Sequence, residues 1–310
     1  MRNSVINEVD KLAALDERIC LITADLGYGV LDTFATNYPK RFFNIGISEQ
    51  SMTSVAAGMA LDGQVVFTYS IGNFPTLRCL EQIRNDVCYH NVNVKIIAVG
   101  GGFAYGQLGM SHHATEDIAV MRSLPNMRVI VPADLSEAVA AVREAYSTDG
   151  PCYLRLGRGG EENLHDEISI FDIKHAIQIY SGNRVNILVV GSLLAEARKA
   201  ADILNQQGIS TGLYSMPCVK PIDVETIKTI ALNSKLIVTM EEHNVLGGFG
   251  GAVAEVISGI QGNRAMLVRI GLQDEYTSIV GDQDYLRNYY KMSAEKVVKK
   301  VHDLLIEIED

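Results

Sequence analysis

Phe42-Phe43-Asn44-Ile45-Gly46-Ile47-Ser48-Glu49-Gln50 changes pattern at its centre: a strand-like apolar run gives way, past a glycine, to Met52, Val55, Ala56, Met59 and Ala60 at helical spacing. A carboxylate, Glu49, stands at the change-over behind apolar residues, which predicts that it lies inside the protein. A buried acid needs a partner or a task, because loss of water penalises its charged form. The local pattern offers a modest account: Ser48 caps the helix, and an acid in the first turn is favoured by the helix dipole.

The same alternation continues on both sides of this stretch. Strand-like runs at 19–23, 65–69, 94–99, 128–131 and 152–156 alternate with helical patterns at 52–61, 78–87, 118–124 and 136–146. This is the grammar of βαβ units on a mostly parallel sheet. Polar residues dominate from 160 to 185 and helical periodicity is lost, so a linker is expected there. The alternation then restarts, with strands at 185–190, 210–214, 235–240 and 266–270 and helices at 195–207, 224–232, 250–258 and 293–308. The predicted fold class is α/β, with two tandem domains over residues 1–170 and 184–310, each a mostly parallel sheet flanked by helices.

At 310 residues and 47% hydrophobic content the chain is long enough for two cores. Its formal net charge of −10, without the clustered Lys and Arg that a phosphate backbone requires, argues against nucleic acid and leaves small molecules or proteins as partners. Five scattered cysteines without a C-x-x-C pair suggest neither a disulfide framework nor a zinc cluster and fit a reducing cytoplasm. The helical N-terminal stretch carries charges and lacks a signal-peptide core. No later apolar run is long enough for a bilayer, so a soluble, unexported chain is expected.

Two glycine-rich loops, Gly100-Gly101-Gly102-Phe103-Ala104-Tyr105-Gly106 and Gly247-Gly248-Phe249-Gly250-Gly251, are able to cradle phosphate on backbone N–H groups, but neither completes a dinucleotide or P-loop pattern. Downstream of the first comes Gly109-Met110-Ser111-His112-His113-Ala114-Thr115-Glu116-Asp117. Adjacent histidines diverge, which disfavours a metal site; a histidine at a loop-to-helix junction is better placed to exchange protons with a polar substrate. The plainer reading is that Ser111 caps the next helix and Glu116 decorates it. Phe74, just before the 78–87 helix, reads equally as core or as a clamp for a flat ring. Arg158, near Gly157, suits a phosphate or carboxylate, although surface arginines without such a task are common.

Taken in order, FFNIGISEQSMTSVAAGMALDG, the Gly100 loop, GMSHHATEDIAVMRSLPNMRVIVPAD and the Arg158 loop resemble the pyrimidine-binding domain of the transketolase family. MPCVKPID and VTMEEHNVLGGFGGAVAEVI resemble that family's C-terminal domain, so the likeness is collinear over nearly the whole chain. The resemblance implies thiamine diphosphate as cofactor and assigns Glu49 to the G-x-x-E-[QH] motif, whose acid bonds the aminopyrimidine ring. A carboxyl group buried against that ring shares a proton with its nitrogen, and burial helps it hold that proton. By the same resemblance His112 faces substrate with His113 beside it, Arg158 holds substrate phosphate, and Asp25 lies near the cofactor. Phe74 is the aromatic assigned to the pyrimidine. It fits only with a local shift, because Gly72, Pro75 and Arg78 stand where typical members have aromatics, and Arg78 joins the cofactor-binding set on that ground.

Two departures bear on substrate. Typical members carry an acid where this chain has Leu108 and a histidine where it has Gly100, and both contact sugar hydroxyls. The family's G-D-G motif and following Asn, which hold the diphosphate and Mg²⁺, have no counterpart in this sequence. The resemblance therefore implies one subunit of a split transferase, paired with a separately encoded diphosphate-binding chain in an α2β2 assembly and moving a two-carbon ketol unit. The rival readings are the β-subunit of a 2-oxo acid dehydrogenase and a non-catalytic partner that stabilises an intact enzyme.

Overall fold

A computed structural model describes residues 1–165 and 172–309. In chain order the first half comprises α1 (Arg2–Leu15), β1 (Ile19–Thr23), α2 (Asp32–Asn37), β2 (Phe42–Asn44), α3 (Glu49–Leu61), β3 (Val65–Ile71), α4 (Leu80–Gln82), β4 (Val94–Val99), α5 (Asp117–Ser123), β5 (Arg128–Ile130), α6 (Leu135–Ser147) and β6 (Cys152–Leu156). The second comprises β7 (Ile177–Tyr180), β8 (Val185–Val189), α7 (Leu194–Gln206), β9 (Thr211–Ser215), β10 (Cys218–Lys220), α8 (Val224–Asn233), β11 (Leu236–Asn244), α9 (Phe249–Ser258), β12 (Met266–Leu272), α10 (Gln283–Tyr289) and α11 (Ala294–Glu309).

Strands β1, β3, β4 and β6 read as nearly unbroken apolar runs because both of their faces are covered by helices. They form the centre of a seven-stranded sheet in the order β10-β5-β6-β4-β3-β1-β2, parallel except for β10. A second sheet has the order β12-β11-β8-β9-β7, parallel except for the edge strand β7. The molecule is α/β with two mostly parallel sheets flanked by helices.

Three features depart from the sequence expectation. Ile177–Tyr180 lies inside the stretch read as a linker, yet it pairs antiparallel with β9, so the second sheet starts ahead of residue 184. Part of that stretch, 166–171, lies outside the described residues. β10, from the second half, crosses to the edge of the first sheet and pairs with β5, so the two halves interlock. Such a three-residue strand has too little pattern to be seen in sequence. The helix expected at 78–87 is irregular: a 3₁₀ turn over Leu77–Cys79, then α4, then a π-helical stretch over Ile83–Cys88. Irregular turns of this kind are frequent at functional sites.

The halves also share a core and a buried polar network. One apolar cluster runs from Ile22, Met52 and Val66 through Met121 to Leu188, Met216 and Phe249. Beside it Arg155 Nε donates to Asp117 Oδ2 at 2.7 Å, and its Nη2 donates to the carbonyls of Ala114 at 2.7 Å and Glu242 at 3.0 Å. Glu242, from β11, accepts the Phe103 N–H and pairs with Arg287 at 2.7 Å, anchoring the first glycine loop to the second half. Burial pushes the His243 imidazole down to about 4. The neutral ring then accepts from the Ala119 N–H at Nε2 and donates from Nδ1 to the Asn244 carbonyl.

Glu137, in the first turn of α6, sets a pH dependence. It is fully buried, accepts the Ala133 N–H at 2.6 Å and lies 3.4 Å from His165 Nε2; burial pushes its carboxyl up to about 7. The folded chain therefore keeps a proton that the unfolded chain, titrating near 4.5, gives up. This contribution to stability is complete below pH 4.5 and is lost as pH rises towards 7. Glu137→Gln is expected to shrink the fall in Tm between pH 5 and pH 8, measured by thermal melts at both pH values. A fall as large as that of the parent chain would remove Glu137 as its source.

Candidate active site

The loops that carry the sequence-predicted site residues leave the carboxyl ends of parallel strands of one sheet. Asp25 follows β1, Glu49 follows β2, Phe74 and Arg78 follow β3, His112 and His113 lie beyond β4, and Arg158 follows β6. Parallel strands put all of these ends on one edge, where open α/β sheets form ligand crevices. Here β1 passes first to β2 on one side and then to β3 on the other, so the reversal falls beside β1.

Glu49 opens α3 and is 3% exposed. Gly46 makes the tight entry possible, because its φ of +74° is a conformation that side chains resist. Ser48 occupies the position before the helix but makes no capping bond; its hydroxyl donates back to the Ile45 carbonyl at 3.0 Å. The acid does not sit in an uncharged pocket: Arg78 Nη1 meets Glu49 Oε2 at 2.8 Å, with Arg78 half-exposed. Gln50 steadies that arginine by donating to its backbone carbonyl at 3.2 Å. Glu49 Oε1 accepts no hydrogen bond from the described residues.

From Arg78 the contacts continue through aromatic rings. The Arg78 guanidinium carbon lies 4.4 Å over the Phe74 ring, and the Phe74 and His112 rings meet edge-on at 5.4 Å between centroids. His112 lies 6.3 Å from the Tyr105 ring, and Arg158 stands 5.3 Å over that same ring. Glu49, Arg78, Phe74, His112 and Arg158 are thereby joined in one connected surface, with Tyr105 completing it. His112 Nδ1 is engaged by the Ser111 hydroxyl at 3.0 Å, leaving Nε2 without a partner among the described residues. Ser111 does not cap α5; Glu116 takes that position, and burial pushes its carboxyl up.

Two predicted residues stand apart from this surface. His113 turns inward, with Nε2 3.0 Å from the Gly106 carbonyl and Nδ1 at the Thr277 hydroxyl, so it ties the loop to the second half and is closed to a substrate. Asp25 is held to the same sheet edge by Asn44, whose side chain accepts the Asp25 and Gly46 N–H groups and donates to the Asp25 carboxylate at 3.1 Å. The Tyr28 hydroxyl also donates to that carboxylate, and these two donors hold Asp25 below the ordinary range. Its φ of +57° is a strained setting of the kind found in ligand sites.

Tyr105, Asn44 and Tyr28 were missed in sequence. Tyr105 explains Gly100: at φ +91°, a Cβ on residue 100 would collide with the Tyr105 ring, so glycine here makes room for a phenol. Leu108 and Met110 lie exposed on the loop beyond it. Among the described residues, no group of three or more His, Cys, Asp or Glu is placed to hold a metal ion, and no helix is long and apolar enough to cross a membrane.

Comparison with known proteins gives this geometry its context. Residues 1–160 match the model of the transketolase pyrimidine-binding domain, and residues 174–297 match that of the transketolase C-terminal domain. A protein of Methanocaldococcus jannaschii, provisionally described as the C-terminal section of a transketolase, is 38% identical over 304 residues, covering 97% of this chain and 95% of its own length. One of the subunits of the apulose-4-phosphate transketolase of Actinobacillus succinogenes is 33% identical over 265 residues, covering 86% and 85%. A solved structure described as a split gene transketolase, inactive beta4 tetramer, superposes with a TM-score of 0.86 at 36% identity over 97% of this chain and 96% of that one. With both domain models matched in order and relatives alike along nearly their full lengths, the chain belongs to the transketolase family.

Proposed function

We propose that this chain is the pyrimidine-binding and C-terminal subunit of a two-chain transketolase, moving a two-carbon ketol unit from a ketose or ketose phosphate to an aldehyde with thiamine diphosphate as cofactor. The observation that carries the reading is the continuous surface from the buried Glu49 through Arg78 and Phe74 to His112. The residues fit the cofactor's ring: Glu49 Oε1 is unused, and the Phe74 face is large, flat and half-buried. Bound there, thiamine diphosphate would supply the electron sink that lets a carbon–carbon bond next to a carbonyl break and form.

The chain's own part is to bind, orient and move protons. Glu49 exchanges a proton with the ring nitrogen through Oε1, while Arg78 remains on Oε2. Phe74 fixes the plane of the ring. His112 Nε2 donates to, or withdraws a proton from, the oxygen of the reacting carbonyl. Arg158 faces the far end of a substrate, where a guanidinium suits phosphate, consistent with the phosphorylated ketose named for one relative. Gly100, with the Tyr105 ring over it, and Leu108 stand where typical members present polar sugar contacts, which points to a donor other than the usual pentose phosphates.

The diphosphate and Mg²⁺ are assigned to a partner chain carrying G-D-G and a following Asn, in an α2β2 assembly. The relatives' names, a C-terminal section and one subunit of a transketolase, and the description of a β tetramer as inactive support that assignment. The test is reconstitution. Ketol transfer from a panel of ketose phosphates should require both chains, thiamine diphosphate and Mg²⁺ together, and His112→Ala should lower kcat/KM of the pair by about 10²–10³-fold. Transfer by this chain alone, or a pair that binds the cofactor yet turns over no ketose in the panel, would overturn the reading.

A further inference from the structure

The second half contains a cavity of about 790 Å³ between the edge strand β12, the 273–275 loop and the α10–α11 turn. Lys291, Lys296, Lys299 and Lys300 line it, and with Arg269 they set five cations against two acids, Glu275 and Asp303. The chain as a whole carries −10, so this is a local reversal of sign. The reversal is invisible as a run in sequence: α11 places Lys296, Lys299 and Lys300 on one stripe, the fold brings Lys291 to it at a φ of +63°, and the opposite stripe of Val297, Val301 and Leu304 is buried.

Lys11, Lys174, Lys199 and Lys228 each pair with a carboxylate, and Lys95 and Lys220 donate to backbone carbonyls. The four in the cavity are gathered in one place and make no ion pair among the described residues. Four unpaired ammonium groups around a concavity repel one another, and an anion of matching size relieves that repulsion. Among the described residues β12 pairs with β11 alone, so its outer edge presents main-chain N–H donors, alternating with carbonyls, along one wall. Tyr289 exposes its ring at the rim, and Tyr290 stacks on Phe103 of the first glycine loop at 5.5 Å, so the cavity touches the loop that carries Tyr105.

We infer that this cavity is a binding site for a small molecule carrying two or more phosphate groups, separate from the crevice at the carboxyl edge of the first sheet. Lysine ammonium groups, as compact charges with three donors, suit tightly spaced phosphates, and the exposed ring of Tyr289 offers a face for a base. The site is independent of the proposed ketol transfer. The experiment is calorimetric titration of the full chain alone, which lacks the family's diphosphate motif, with inorganic tripolyphosphate and with ATP in the absence of divalent metal, near physiological salt. One-to-one saturable binding is expected, weakened at least 10-fold by K296Q/K299Q/K300Q and unchanged by K11Q/K40Q/K174Q, which removes the same charge elsewhere. Equal affinity for both probes assigns recognition to phosphate alone. Tighter ATP binding that is lost in Tyr289→Ala adds recognition of the base. Absence of saturable binding of either probe, or equal weakening by the two triple variants, would overturn the inference.

Discussion

Glu49→Gln is expected to cut ketol transfer by the reconstituted enzyme by about 10²–10⁴-fold, the range that a positioned proton-transfer group contributes. Glutamine keeps the shape of the side chain and its reach from the first turn of α3, so the loss would report the proton and not the packing. Stability should change little, because the Glu49–Arg78 pair, with its arginine half-exposed, is of a kind worth about 0–1 kcal/mol. The discriminating measurement is kcat beside Tm for parent and variant: a large fall in kcat at constant Tm supports the role, and near-normal turnover would end it. Arg78→Met separates the two carboxylate oxygens. If Oε1 serves the ring and Oε2 serves Arg78, that variant should retain far more activity than Glu49→Gln.

The second large effect concerns the buried ion pair of the first half whose arginine also reaches the second half at the Glu242 carbonyl. Asp117→Asn is expected to destabilise the chain by about 3–5 kcal/mol, because it leaves the buried Arg155 guanidinium without its counter-charge. Burial works against that guanidinium's charge, and its neighbours, Asp117 foremost, hold Arg155 above its usual range. An arginine keeps its proton inside a protein, so the variant strands the charge. The asparagine amide can place its oxygen where Oδ2 stands and keep both donors, Arg155 Nε and the Tyr153 hydroxyl, so the loss would report the missing charge. Denaturant unfolding, with Tm as a second readout expected to fall by roughly 10 °C, measures it. The double variant Asp117→Asn, Arg155→Met should recover part of the loss, since it removes the stranded charge as well as its partner. A single variant as stable as the parent would remove the pair as a source of stability.

Much of the fold was readable from residues 42–63 outward, since alternation of period 2 and period 3.6 is a local property and the central strands are long. The short edge elements were not. β7 and β10 have four and three residues, and what makes them strands is an antiparallel partner supplied from elsewhere in the chain. The site divides the same way. Glu49, Phe74, Arg78 and His112, selected in sequence, follow one another in contact in the structure, and Arg158 joins them only through Tyr105. His113, chosen beside His112, turns the opposite way, because neighbouring side chains on a turn diverge and the second half offers it Thr277. Tyr105 carried no signal in sequence. Its meaning depends on lying over Gly100, a contact across a loop that spacing does not encode.

The amino-acid sequence by itself determined the α/β class, the order of the strands and helices, and the chemical types assembled at the carboxyl edge of the first sheet. These follow from the periodicity of apolar burial and from motifs a few residues long. The tertiary structure alone decided that Arg78 is the counter-ion of Glu49, that the Tyr105 ring stands where a side chain on residue 100 would lie, that Arg155, paired with Asp117, reaches the Glu242 carbonyl of the second half, and that four lysines without acid partners among the described residues surround one cavity. Each of these is a pairing across the fold, set by which strands and helices pack side by side.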